Sequence, residues 1–199
     1  MIAGKYHIPH GSTGAMLRDE RERGTELGRE ADQWTSQGKY FPDEIAMRVV
    51  DQWLKRVGND AFLLDGFPRT LGQAKAFDAQ LAELGKPLEL CIELTLDDAE
   101  ICARILSRLT CDACGATFSS RFQPISEGDR CPKCGGVLER RKDDDAKAIN
   151  ERLEQHHEFT DPVLDYYRAE NRLVTIDAAR EATLVFDDIR KLIEEETAS

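Results

Sequence analysis

The chain has 199 residues, 41% of them hydrophobic and 33% charged, with a formal net charge of -11. This is the composition of a folded domain with room for a small insertion, well away from disorder. An acidic surface repels nucleic-acid backbones and anionic membranes, no apolar run approaches the ~20 residues of a membrane span, and MIAGKYHIPH lacks a signal peptide's apolar stretch, so a cytoplasmic chain without nucleic-acid or membrane partners is expected.

In chain order, HIPHGST (7–13) predicts a short strand running into a turn, and 13–36 predicts helix interrupted near Gly24. PDEIAMRVVDQWLKRV (42–57) predicts an amphipathic helix, with a tolerated proline and an acidic pair at its start. AFLLD (61–65), LELCIELTL (88–96) and LVTID (173–177) read as buried parallel strands. Helical patterns at 72–85 and 97–109 lie between them. The alternation implies an α/β fold with a doubly wound parallel sheet, in which ligands bind at the carboxyl ends of strands. DGFPRT (65–70) begins at one such end. Between 110 and 139 cysteines, glycines and short alternating segments replace helix, as expected of an inserted mini-domain. Beyond RRKDDD (140–145), AKAINERLEQHHEF predicts a long helix, and 178–197 the last one.

Cys111 and Cys114 form one C-x-x-C, and Cys131 and Cys134 another, with 16 residues between the pairs and a glycine after each. That spacing lets four thiolates converge on one tetrahedral ion, most simply zinc, with no position open for substrate. A thirty-residue insertion buries little core, and zinc supplies such small folds roughly 10 kcal/mol or more. Cys91 and Cys102, by contrast, read as small apolar core residues. His156 and His157 point about 100° apart on a helix and read as a solvated face, and Trp34 and Trp53 read as packing residues.

The remaining signals are arginines beside turns. STGAMLR (12–18) sets Thr13 at a strand-to-helix turn and Arg18 one helical turn on, a place where amides and a guanidinium grip phosphate. DGFPRT sets Arg69 beside a glycine-proline turn, with Gly66 permitting close backbone approach. Gln73, a turn later, can read a base edge through its amide. Arg104, Arg108, Arg141 and Arg152 flank the insertion.

STGAMLR, GKYFPDE, FLLDGFPRT with Gln73, the four-cysteine insertion with CGATF, RRKDD, INERL and PVLDYY occur in the order seen in adenylate kinases with a zinc-bearing lid, and the chain resembles that family from about residue 3 to about residue 193. The resemblance implies reversible phosphoryl transfer, ATP + AMP = 2 ADP, by a monomer. It implies a core over 1–106 and 145–199, an AMP-binding flap over about 12–41, and a lid over 107–144. AMP would meet Thr13, Arg18, Lys39, Tyr40, Phe41, Gly66, Phe67, Pro68, Arg69, Gln73, Arg141 and Arg152. ATP would meet Arg104, Arg108, Thr117, Phe118 and the backbone near Arg180. Asp65 would position Mg through its waters, and the catalytic charges would be Arg69, Arg108, Arg141 and Arg152. In that family a strand, a G-x-x-x-x-G-K-G-T loop and a helix open the chain. The 199 residues begin within that helix, and Gly4-Lys5 has no preceding strand or glycine to make it the loop. Ala15 stands where the family usually has aspartate. An upstream segment carrying the loop is therefore one expectation. Little kinase activity for the 199-residue polypeptide is another, with a nucleotide-binding, zinc-stapled interaction protein as the alternative from a different class.

Overall fold

The structure, a computed structural model, describes all residues except 36–41, 59–60, 141–143, 145 and 197–199, and all helical side chains except those of 32–35, 147, 148, 152 and 196. The elements are α1 (Ile2–Tyr6), β1 (His10–Ser12), α2 (Thr13–Glu22), α3 (Glu26–Thr35), α4 (Asp43–Val57), β2 (Leu63–Asp65), α5 (Leu71–Glu83), β3 (Cys91–Thr95), α6 (Asp98–Leu106), β4 (Arg108–Cys111), β5 (Thr117–Ser119), β6 (Leu138–Glu139), α7 (Ala146–Phe159), α8 (Asp161–Ala169), β7 (Leu173–Asp177) and α9 (Ala182–Glu196). They form two units, Met1–Leu94 with Glu158–Ser199, and Thr95–His157. Among the described residues no helix is long and apolar enough to cross a membrane.

In the first unit β1 pairs with β2 in parallel, His10 opposite Leu63 and Ser12 opposite Asp65. The chain turns at once into α2, which Ser12 caps, its hydroxyl accepting from the Ala15 N–H at 3.3 Å. The break expected near Gly24 is there: Gly24 takes the left-handed φ of 64° between α2 and α3. Buried Met16, Leu17, Leu27, Val49, Val50, Trp53, Phe67 and Phe77 join α2, α3, α4 and α5 into one core. Trp53 is thus the packing residue it was expected to be, while the side chain of Trp34 lies outside the described residues. A second cluster sets Ala74 of α5 against Val163 and Tyr167 of α8, with Cys91 of β3 at its margin. The α8 helix begins in the PVLDYY motif, to which the sequence pattern assigned no helix; Pro162 sits at its first turn.

The fold is the mixed α/β arrangement expected, but its parallel strands fall into two separate pairs. β1 pairs with β2, and β3 with β7; among the described residues no strand is hydrogen-bonded between β2 and β3. The three apolar runs were expected to be buried, yet Leu63, Leu64, Cys91 and Ile92 are only half-buried and Ile176 alone of these strands is buried. A strand paired on one edge only is covered by fewer neighbours, which accounts for the difference.

The second unit carries a three-stranded antiparallel ribbon in the order β5-β4-β6. Its small core is Leu109, Cys111, Cys131 and Leu138, with Phe118 and Ile125 against it. Two of its four buried residues are cysteines, so apolar burial alone holds little of it.

Candidate functional site

The DGFPRT turn is built by its own backbone. Gly66 follows β2 with φ 66°, and the Phe67–Pro68 peptide is cis. The Arg69 Nε–H donates to the Gly66 carbonyl at 2.7 Å, folding the guanidinium back over the turn. The left-handed φ is what requires glycine at 66; the nearest atom a Cβ there would meet is the movable end of the Arg69 side chain at 3.0 Å. Phe67 is 9% exposed and meets Phe77 edge-to-face at 5.2 Å. Its side chain anchors the turn in the core.

Thr70 caps α5, its hydroxyl oxygen accepting from the Gln73 N–H at 3.1 Å. Gln73 is 4% exposed and its carboxamide bridges two groups: Oε1 accepts from the Arg69 N–H at 2.8 Å, and Nε2 donates to Asp43 Oδ1 at 2.8 Å. The Thr70 hydroxyl donates to the other Asp43 oxygen at 2.7 Å. Asp43 therefore ties the start of α4 to the DGFPRT turn. In the sequence Asp43 shows only as favourable charge at a helix start; the link spans |i−j| of 30, and no local signal reports it.

Elsewhere in this unit Thr13 is buried at the start of α2, and Arg18 is exposed and without an ion pair among the described residues. Asp65 is exposed at the end of β2, 4.0 Å from His10 Nε2. Arg180 donates to the Asp177 carbonyl and pairs with Asp188 at 2.7 Å, so its side chain is turned to its own loop and helix. Lys39, Tyr40, Phe41 and Arg141 lie outside the described residues, and so does the side chain of Arg152 in α7.

In the second unit Arg104 is held by Glu100 at 2.9 Å, and Glu100 also takes Arg121 at 2.7 Å. These two guanidiniums hold the Glu100 carboxyl below its ordinary range. Arg108 makes a two-toothed pair with Asp144, its Nε donating at 2.9 Å. The Asp144 side chain is 2% exposed, so a buried carboxylate fixes this arginine at the start of β4. Thr117 and Phe118 lie in β5 opposite Thr110 and Leu109. His156 is exposed, and His157 meets Asp98 at 3.1 Å, which agrees with a solvated face. Cys91 and Cys102 are half-buried rather than core. Burial raises the Cys91 thiol to about 11, which keeps it protonated and unreactive.

The four ribbon cysteines do converge. Their sulfurs all lie within 4.8 Å of one another, with Cys111 to Cys134 at 3.4 Å and Cys114 to Cys131 at 3.8 Å. Four sulfurs at ~2.3 Å from one zinc stand about 3.8 Å apart, so the set fits that ion. Each pair is a matched turn: the Gly115 N–H donates to the Cys111 carbonyl at 3.0 Å and the Gly135 N–H to the Cys131 carbonyl at 2.9 Å. Both glycines are left-handed, at φ 67° and 80°. Burial works against ionisation of Cys131, but the N–H groups of Lys133 and Cys134 and the neighbouring thiols bring it down to about 7. At Cys134 the Gly136 N–H likewise favours the thiolate, yet hydrogen bonds with Cys114 and Cys111 push the thiol up to about 12. Clustered thiols of this kind ionise together only when a cation balances them.

A glycine-proline turn with its arginine, a carboxamide fixed beside it, split parallel strands and a four-cysteine ribbon are the features of an α/β protein of the nucleoside monophosphate kinase type. The sequence profile described as "Adenylate kinase" matches residues 1–172. Among curated proteins the chain is 40% identical over 189 residues to the adenylate kinase of Alkaliphilus oremlandii, covering 94% of this chain and 88% of that protein. It is 38% identical over 194 residues to that of Archaeoglobus fulgidus, covering 97% and 89%. Against that of Lysinibacillus sphaericus it is 40% identical, again over 97% and 89%. The chain belongs to the adenylate kinase family.

Proposed function

We propose that this chain is a monomeric phosphotransferase acting on adenine nucleotides, ATP + AMP = 2 ADP, with AMP held by the first unit. The observation that carries the reading is the DGFPRT turn at the end of a parallel strand, with Arg69 folded over it and Gln73 fixed one helical turn on. In this reading Thr13, Arg18 and Arg69 bind the AMP phosphate, the backbone of 66–69 and of 39–41 lines the nucleotide, and Gln73 reads the base. Arg104, Arg108 and Thr117 and Phe118 of β5 serve ATP, with the backbone near Arg180 beside its adenine, and Arg141 and Arg152 supply further charge. Transfer between two nucleotides needs little covalent chemistry from a protein; it needs anions held in line, their charge met and water kept out. Asp65, exposed at the end of β2, would orient the waters of the Mg that comes with ATP, and that ion would supply charge to offset the phosphates. Zinc on Cys111, Cys114, Cys131 and Cys134 is structural.

Isothermal titration with AMP and a coupled ADP-formation assay test the reading. Saturable AMP binding is expected, weakened by Arg69→Ala, and no AMP binding would overturn the reading of this site.

A further inference from the structure

We infer that Asp43 is a specificity-determining positioning residue, which fixes the polarity of the Gln73 carboxamide and so selects a 6-amino purine monophosphate over its 6-oxo counterpart. The inference rests on the proposed function, in which Gln73 reads the base. A carboxamide offers two N–H donors on one end and two lone pairs on the other. At Gln73 one of each is spent: Nε2 donates to Asp43 at 2.8 Å, and Oε1 accepts from the Arg69 N–H at 2.8 Å. Among the described residues one donor and one acceptor are left. Adenine presents an N6–H donor beside the N1 acceptor, whereas hypoxanthine presents an O6 acceptor beside an N1–H donor. Each could pair with a carboxamide, but only with the donor and acceptor in opposite order.

The order is set from below the base. An ionised carboxylate only accepts, and the Arg69 N–H only donates. Turning the amide over would put Oε1 against the Asp43 oxygen and the NH₂ group against the Arg69 N–H, two contacts between like partners. Asp43 is held in turn. Its second oxygen accepts from the Thr70 hydroxyl at 2.7 Å, and it lies so close over Gly72 that a Cβ there would come within 2.8 Å of Oδ2. Gly72 is thus the space in which the carboxylate sits. Gln73 is 4% exposed, so a base reaches its remaining donor and acceptor only as a neighbouring segment gives way, while the two inner bonds keep their order.

The test is equilibrium binding of AMP, inosine monophosphate and ribose 5-phosphate to the full chain, measured by calorimetry for wild type, Asp43→Ala and Gly72→Ala. Gly72→Ala leaves every hydrogen-bonding group in place, favours the helix and displaces the carboxylate, so it serves where Asp43→Ala folds poorly. Wild type is expected to prefer AMP over inosine monophosphate. Both variants are expected to lose about fivefold or more of that preference, the worth of roughly one hydrogen bond, with ribose 5-phosphate affinity unchanged. A merely structural role would lower all three affinities together and leave the ratio alone. Wild-type AMP binding with an unaltered ratio in both variants overturns the assignment. A wild-type chain that binds neither AMP nor ribose 5-phosphate overturns the proposed function itself and this assignment with it.

Discussion

Glu20 of α2 has a fully buried side chain and is ion-paired to Arg56 of α4, the two helices being joined through it. Arg23 reaches the same carboxylate at 3.1 Å, and the Thr25 hydroxyl donates to its other oxygen at 2.8 Å. Gly28 packs directly on this corner; a Cβ there would come within 2.5 Å of the Glu20 carbonyl oxygen. Removing Arg56 leaves the carboxylate with Arg23 and Thr25, so the loss falls below the full cost of an unpaired buried charge. Arg56→Ala is therefore expected to lower stability by about 1–3 kcal/mol in urea denaturation, and Glu20→Ala by a similar or smaller amount. A change under about 0.5 kcal/mol, as at an ordinary surface site, would show that the pair holds nothing.

The same carboxylate makes stability depend on pH. Burial opposes ionisation of Glu20, but the Thr25 hydroxyl and Arg56 outweigh it and lower its pKa. A carboxyl lowered in the folded state contributes stability that is present above the unfolded value and lost as pH falls through the folded one. Glu20→Gln should therefore narrow the gap in denaturation midpoint between neutral pH and the acid side of the ordinary glutamate range. An identical gap in both proteins would remove Glu20 from the acid response.

Much of this was legible from sequence, and the limits are physical. The four cysteines declare themselves because the ligand type and the turn spacing are both local. Arg69 stands out for the same reason: its turn is made of consecutive residues. Asp43, Asp144 and Glu20 carried no such signal, because each acts through a partner 30 or 36 positions away and its type is common on helix surfaces. The strands were placed within a few residues. Their half-burial was not foreseen, because an apolar run reports only what the side chains favour and not how many neighbours the sheet supplies.

The ribbon should depend on its ion. Its core has four buried residues, two of them cysteines, so in the proposed reading metal ligation supplies most of its stability. One zinc per chain is expected by atomic absorption. A strong chelator should unfold the ribbon, seen as loss of amide protection over β4, β5 and β6. Cys111→Ala should do the same without chelator. Retained protection in a metal-free sample would refute the structural role.

Arg108 serves a buried carboxylate, so substitutions there mix two effects. Asp144 is 2% exposed at its side chain, and Arg108→Ala would leave it unpaired. Loss of stability in the second unit by about 3 kcal/mol is expected alongside any loss of ATP affinity. Arg108→Lys keeps the charge but not the two-toothed fork, so its cost should be smaller. Hydrogen exchange resolved by segment, beside ATP titration, separates the two. Weaker ATP binding with unchanged exchange in β4 and around Asp144 would place Arg108 wholly at the nucleotide.

Adjacent tyrosines of α8 give the last contrast. The Tyr166 hydroxyl donates to Asp78 at 2.9 Å, and Asp78 also takes the Arg172 guanidinium, which lies over the Tyr167 ring with 5.0 Å to the centroid. The Tyr167 hydroxyl is fully buried and has no hydrogen-bond partner among the described residues. Burial accordingly raises its pKa strongly. An unmatched buried hydroxyl costs about 1–3 kcal/mol relative to an apolar group of the same shape, so Tyr167→Phe should leave stability unchanged or raise it. Tyr166→Phe should lower it by about 1 kcal/mol or more, because its hydroxyl meets a charged acceptor. Denaturant midpoints of the two single variants decide the matter. A clear loss on Tyr167→Phe would mean that its hydroxyl is hydrogen-bonded in solution, and the contrast would fail.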